Sequence, residues 1–377
     1  MLKKTILLSS FISAQLVYAN LTLTMGGDVN FNKNLFSVNA NGFSRDGYVT
    51  NWTELTKNLK PLINGDLNFA NIETVVTDRN DLSAQGKTYV FRTHPNAIQN
   101  LIGLGFNLFN LANNHAFDFG REGMSETLDQ MRILKQKNPQ VEYFGIGYKH
   151  DLLKPVVFQK NGYTIAIASL SIGDTNFVAT TNEPGFIHVW NRSQYNEIIK
   201  NFKKTSADYK ILSIHFGKEG KITLDEGQRA YYEFAVKKGD IDLIIGHHPH
   251  AVRPIQKIGD KYIFYSLGNY LMLGSANITG FGNGKDYGLF SKLHLVRGPT
   301  GRLKPEAIEL IALTNTHFAA KPLPARTGYE KLLALRNLNK AELGGEAFNY
   351  RLNSEGHGIY CESQLQLQSS QLACGVE

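Results

Sequence analysis

Five times in this chain a short run of β-branched and aromatic residues stops at a polar cluster, and most of these stops lead into a helical pattern. Residues 21–25 stop at Gly26-Gly27-Asp28-Val29-Asn30. Leu67, Phe69 and Ile72 form an imperfect alternation that ends beside Asn71 and Glu73. Residues 107–111 deliver Asn113-Asn114-His115, residues 209–214 deliver His215, and Leu243-Ile244-Ile245 breaks at Gly246 before His247, His248 and His250. Strands that alternate with helices predict an α/β sheet, and open sheets of that kind gather their ligands at the carboxyl ends of the strands. Each cluster alone reads equally well as a turn or a polar loop. Five at the ends of successive strands converge on one edge of a sheet.

The intervening punctuation supports this order of elements. Pro95 opens a helix over 95–104 that Gly105 ends. Residues 122–137 keep apolar positions at helical spacing through Met124, Leu128, Met131 and Leu134. Residues 192–204 and a segment capped by Asp225 and ending at Gly239 read as two more helices. Asn161-Gly162 marks a hairpin over 155–169, and Gly259-Asp260 marks another. Ser266-Leu267-Gly268-Asn269 reads as a second glycine-containing turn, and 290–296 and 307–312 read as late strands.

The chain has 377 residues, 42% of them hydrophobic, enough for one large domain with an appendage. Residues 1–19 combine Lys3 and Lys4, an apolar stretch and a small-residue end at Ala19, which predicts a secretory signal and an exported, periplasmic or envelope location. Membrane association is expected only if that segment is retained, because no later run approaches spanning length. The domain is then expected over 20–313, with an appendage over 314–377 beyond a change of composition. Its two cysteines, Cys361 and Cys374, are expected to pair. The formal charge of +7 is scattered rather than blocked, and no nucleic-acid motif appears.

A site built from Asp, Glu, Asn and His suits a divalent ion of hard or borderline character, such as Mn, Fe or Zn, and excludes a thiolate site. The donors exceed what one ion needs, which predicts two ions sharing a carboxylate, as in two-metal hydrolysis.

The segments GGDVNFN, GDLNFANIET, LANNHAFDFG, HFGKEG and GHHPHAVRPIQKIGDKYIFYSLGNY resemble the ordered motifs of the bacterial capsule-synthesis CapA family, over roughly residues 21–313. The resemblance implies the α/β, four-layer sandwich of calcineurin-like metallophosphoesterases and a place in poly-γ-glutamate-type capsule synthesis. It implies metal ligation by Asp28, Asn71, Glu73, Asn114, His215, His248 and His250, with Glu73 as the bridge and His115 as the acid that protonates a leaving oxygen. Asn30, Arg92, Glu219, His247 and Asn269 are expected to touch substrate or support the ligands. The expected partners are an anionic polymer or a phosphorylated envelope precursor, within a capsule-synthesis or export complex. Three activities fit: hydrolysis of a phosphoester or related bond, non-catalytic polymer binding, and γ-glutamyl amide hydrolysis or transfer. The first motif reads Asp28-x-Asn30 where classical metallophosphoesterases carry Asp-x-His, and this weighs toward the binding reading.

Overall fold

The computed structural model describes residues 20–32, 37–45, 48–273 and 276–375. The expected signal segment, residues 1–19, lies outside them. Two sheets form the frame, one of ten strands and one of six. We label the six strands that carry site residues β1 (Leu21–Asn30), β2 (Leu67–Ile72), β3 (Leu108–Asn110), β4 (Tyr209–His215), β5 (Leu243–His247) and β6 (Asn269–Met272). β1, β2 and β3 run parallel in the larger sheet, and β4 and β5 run parallel in the smaller one.

Side-chain alternation along each strand decides what faces what. Leu21, Leu23 and Met25 of β1 and Leu67 and Phe69 of β2 share one core with Tyr209 and Ile211 of β4 and with Leu243 and Ile245 of β5. This core lies between the sheets. Ala70, Ile72 and Phe109 turn the other way, onto helices Pro95–Leu104 and Gly120–Lys137. Leu212, Ile214 and Ile244 likewise face helices Arg192–Lys204 and Glu226–Gly239. Each sheet therefore has one face on its partner sheet and one on helices.

β1 runs past the glycines where the sequence suggested a stop. Its pairing with β2 shifts register between Met25 and Asp28. The bulge exchanges the two faces of the strand. Odd-numbered residues to Met25 face the inter-sheet core, whereas Val29 and Phe31 face the helical side. Asp28 is thereby turned inward. The glycines make the bulge sterically possible, since a Cβ at Gly27 would lie 1.7 Å from the Gly268 carbonyl oxygen and one at Gly26 would lie 2.4 Å from the Tyr270 ring. Asp28 N–H donates to that same Gly268 oxygen at 3.0 Å.

Two readings of the sequence need correction. The turn expected over residues 266–269 ends at Gly268, in the left-handed region, and Asn269 already opens the strand β6, parallel to β1. The segment after Thr314 is part of the main body, because Lys321–Pro322 and Gly358–Cys361 both pair with strand Leu303–Thr314 of the larger sheet. Helix Ala325–Leu343 adds Leu332 and Leu335 to the inter-sheet core, and Asn339 bonds the backbone of Ile255 and Phe348. Cys361 and Cys374 form a disulfide, with Cα atoms 6.2 Å apart, that ties helix Gln368–Cys374 to this edge. No helix among the described residues is long and apolar enough to cross a membrane.

Candidate metal centre

The inward parity that builds the core also builds the site. Past Phe69 the next inward residues are Asn71 and Glu73; past Ile211 they are Ser213 and His215; past Ile245 comes His247. Register pairs Asp28 with both Asn71 and Asn269, and His215 with His247. The polar residues therefore meet at the carboxyl ends of both sheets.

Glu73 lies at the centre, fully buried, and neither carboxylate oxygen has a hydrogen-bond partner. Its ligand atoms converge with two sets of neighbours, His215 with His248 on one side and Asp28 with His250 on the other. Glu73 Oε1 is 3.4 Å from His215 Nε2 and 3.8 Å from His250 Nε2. Asn114 joins the first set, with Oδ1 2.7 Å from His215 Nε2, and His248 Nδ1 is 3.2 Å from the same nitrogen. An orphaned buried carboxylate is costly unless something charged completes it. Two carboxylates, three imidazoles and an amide oxygen fit divalent ions of the Mn, Fe or Zn type.

Neighbours fix how these groups point. Asn269 Oδ1 sits 2.8 Å from His250 Nδ1, which leaves Nε2 turned to Glu73. His247, fully buried, stacks on Phe69 at 5.5 Å and holds Nδ1 3.2 Å from Asp28 Oδ1. His248 and His250 flank Pro249 with φ of 92° and 51°, left-handed values that cost a residue with a side chain free energy. Below them Arg253, fully buried, donates to the carbonyls of Lys218 and Lys221 and to Asp225 and Gln228. This pins the loop after His215 to the loop carrying His248 and His250. Asp225 is engaged there, and its side chain does not cap the following helix as the sequence suggested.

The charges follow from burial and proximity. Burial favours a neutral Asp28, yet the imidazoles of His247 and His250 hold its carboxyl well below the usual range. Burial and the charge of Asp28 push Glu73 well above it. Burial, then neighbouring imidazoles, lowers His215 strongly and brings His248 down to about 3, so both are neutral, as metal ligation requires. Burial acts to lower His250 too, but Glu73 and Asp28 outweigh it and raise it to about 10.

Of the expected ligands, Asn71 has a different role. Its Nδ2 donates to Asp28 at 2.7 Å and its Oδ1 accepts from Asn110 Nδ2 at 2.7 Å. Asn110 is itself oriented by accepting the Ala112 N–H, so the oxygen of Asn71 is committed to protein and the residue positions Asp28. Asn30 bonds Asn32 and Thr93 rather than the cluster. Arg92 lies over the Phe119 ring at 5.4 Å. Glu219 stands at the rim, 3.8 Å from His248 Nε2 with 61% of its side chain exposed.

His115 is buried beside the cluster against Phe91, ring centroids 4.3 Å apart, and its Nδ1 is 2.7 Å from Asp118 Oδ2. Burial lowers its pKa, opposed by Asp118. Sequence reading passed over Asp118 as a loop residue. Its signal was the spacing, three residues beyond His115 in a loop, where a carboxylate can turn back onto the ring. Lys87 was also missed. Its Nζ bonds Asp118 and donates to the Asn114 carbonyl at 2.6 Å, linking the candidate acid to a candidate ligand.

Residues 22–273 match the family model described as bacterial capsule synthesis protein PGA_cap. The PGA biosynthesis protein CapA of Bacillus subtilis (strain 168) is 31% identical over 260 residues, 68% of this chain and 65% of that protein. The capsule biosynthesis protein CapA of Bacillus anthracis is 28% identical over 259 residues, 67% of this chain and 59% of that one. The chain thus spans somewhat under two thirds of the length of these relatives. Among solved structures, the calcineurin-like phosphoesterase YfkN from Bacillus subtilis overlays with a TM-score of 0.42 at 14% identity, covering 85% of this chain and 100% of that one, a likeness too distant to carry mechanism. The family match spans every strand end that contributes to the cluster, from Asp28 to Asn269, and on it the chain belongs to the bacterial capsule synthesis protein PGA_cap family.

Proposed function

We propose that this chain is an exported, divalent-metal-dependent hydrolase of capsule or envelope-polymer synthesis, of the poly-γ-glutamate type, acting on a phosphoester or related bond. The observation that carries the reading is Glu73, buried, unpartnered and shared by two sets of metal-ligand groups. The names of the relatives, PGA biosynthesis protein and capsule biosynthesis protein, support the process.

In this reading Asp28, Glu73 and His250 would hold one ion, and Glu73, His215, His248 and Asn114 a second. Such ions supply Lewis acidity and neutralise charge that develops on the reacting group. The protein's own part is positional. Asn71 and His247 fix Asp28, and Asn269 fixes the tautomer of His250. The Asp118 carboxylate holds the Nδ1 proton of His115 and supports the imidazolium, so that Nε2 can deliver a proton to the leaving oxygen. Burial of the cluster keeps these interactions strong.

Non-catalytic polymer binding draws support from Asn30, whose side chain is spent on its own loop. His115→Ala separates the two. With Mn²⁺ or Zn²⁺ present, hydrolysis of phosphoester and γ-glutamyl substrates should fall by about 10²–10⁴-fold while polymer affinity stays unchanged. A wild-type protein that binds polymer and turns over neither substrate class contradicts the hydrolase.

A further inference from the structure

Beside the cluster is a cavity of 340 Å³ whose walls include Gln85, Lys87, Asn114, Phe117, Asp174 and Phe177. None of these except Asn114 belongs to the proposed metal set. Asn114 links the two spaces, because its Oδ1 lies 2.7 Å from His215 Nε2. We propose that this cavity is a subsite for the free α-amino-acid end of a γ-glutamyl chain, with Lys87 receiving the carboxylate and Asp174 the ammonium.

The argument is one of charge and valence. The Lys87 ammonium has three protons. One bonds the Asn114 carbonyl and another the Asp118 carboxylate. Lys87 lines the cavity with its side chain 27% exposed, and its Nζ, 4.8 Å from the Phe117 ring centroid, keeps one proton beyond these two bonds. Asp118 is fully buried and already balances the Lys87 charge. Asp174 is exposed and uses Oδ1 to accept the Asn176 N–H at 2.9 Å, leaving Oδ2 for a ligand. The wall thus carries negative charge in excess. A wholly anionic group meets repulsion there, whereas an ammonium adjacent to a carboxylate finds a partner for each. Phe117 and Phe177 stack with centroids 4.8 Å apart and give the cavity an apolar side against which methylenes can pack.

In a γ-linked glutamate chain every unit bears an α-carboxylate, but only the amino-terminal unit also bears a free α-ammonium. The subsite therefore selects the chain end. With that α-carbon in the cavity, the side chain that carries the γ-linkage extends past Asn114 toward the cluster. The orientation rests on the cluster being the reaction centre; the binding does not. Among the bonds open to the proposed hydrolase, it singles out the γ-glutamyl linkage.

The test is calorimetric titration of the full chain, with and without Mn²⁺, using a γ-linked glutamate trimer, its N-acetyl derivative and inorganic phosphate. Acetylation should weaken binding by about tenfold or more, the loss of a charge-assisted hydrogen bond. Asp174→Asn keeps an oxygen for the Asn176 N–H and should erase the difference between free and acetylated trimer; Lys87→Met should weaken both. Equal affinity for the acetylated trimer, an unaffected Asp174→Asn variant, tighter phosphate than trimer in the absence of Mn²⁺, or no trimer binding overturns the subsite. Amine-dependent binding without turnover overturns the hydrolase and leaves the subsite standing. Turnover indifferent to acetylation does the reverse.

Discussion

Replacing Glu73 by glutamine separates a carboxylate kept for metal from one kept for the fold. The side chain is fully buried and its oxygens are unpartnered, so the metal-free fold draws no hydrogen bond from them. Burial and Asp28 already push the carboxyl toward its neutral form. Glutamine has nearly the same volume, so neither a cavity nor overpacking is introduced. Metal-free Glu73→Gln should therefore lose only the support that Glu73 gives to a charged His250, about 1–2 kcal/mol. The metal-loaded protein should differ sharply. At about 100 times Kd, one ion stabilises wild type by about 2.7 kcal/mol, which for a chain of this size raises Tm by about 3–4 °C. The variant should lose most of that gain, since both ligand sets share the residue. Scanning calorimetry in chelator and in Mn²⁺ measures both arms. The reasoning fails if the variant melts well below wild type in chelator yet keeps its full response to Mn²⁺.

Asp118→Asn should lower turnover by about 10²–10⁴-fold with metal content unchanged, because His115 loses the partner that sets its tautomer; steady-state kinetics beside metal analysis checks this. In metal-free protein His250 is raised to about 10, above its ordinary value near 6.5, so its charge stabilises the fold below pH 6.5 and that contribution is lost as pH rises through 10. An ion must displace this proton, so Mn²⁺ affinity should rise between pH 6 and 9 with proton release visible in buffers of different ionisation enthalpy; pH-independent affinity contradicts the assignment. Gly27→Ala should destabilise by about 3 kcal/mol or more, because its Cβ would meet the Gly268 carbonyl that holds Asp28. Gly103→Ala, in a helix with open space around it, should leave stability equal or higher, and urea denaturation compares the two.

Period-two alternation with polar strand ends made the cluster legible: Glu73, His215 and His247 all follow the parity of the inward apolar residues before them. Helices with clear caps, such as Pro95–Leu104 with Gly105 in the left-handed region, were legible for the same local reason. Asp28 stands in the cluster, but its place at a strand end does not by itself bring it there, since the bulge at Gly26-Gly27 turns it inward and Gly268 packs against that bulge. The sequence suggested Asn71 as a ligand, whereas its amide bonds Asp28 and Asn110, contacts between strands that residue type does not reveal. The strand nature of β6 and the joining of Gly358–Cys361 to the larger sheet depend on pairing across more than 40 residues, which carries no local signature. Lys87 was invisible for a similar reason, as its link to Asp118 spans 31 positions.

The most direct test of the central claim is the metal content of the protein, purified without chelator or metal-affinity resin, measured by mass spectrometry alongside Asp28→Ala and His248→Ala. The account predicts about two ions per wild-type chain, as a shared bridging carboxylate requires, and loss of ions in both variants. A folded wild-type chain that holds no ion even after incubation with Mn²⁺ or Zn²⁺ would contradict it.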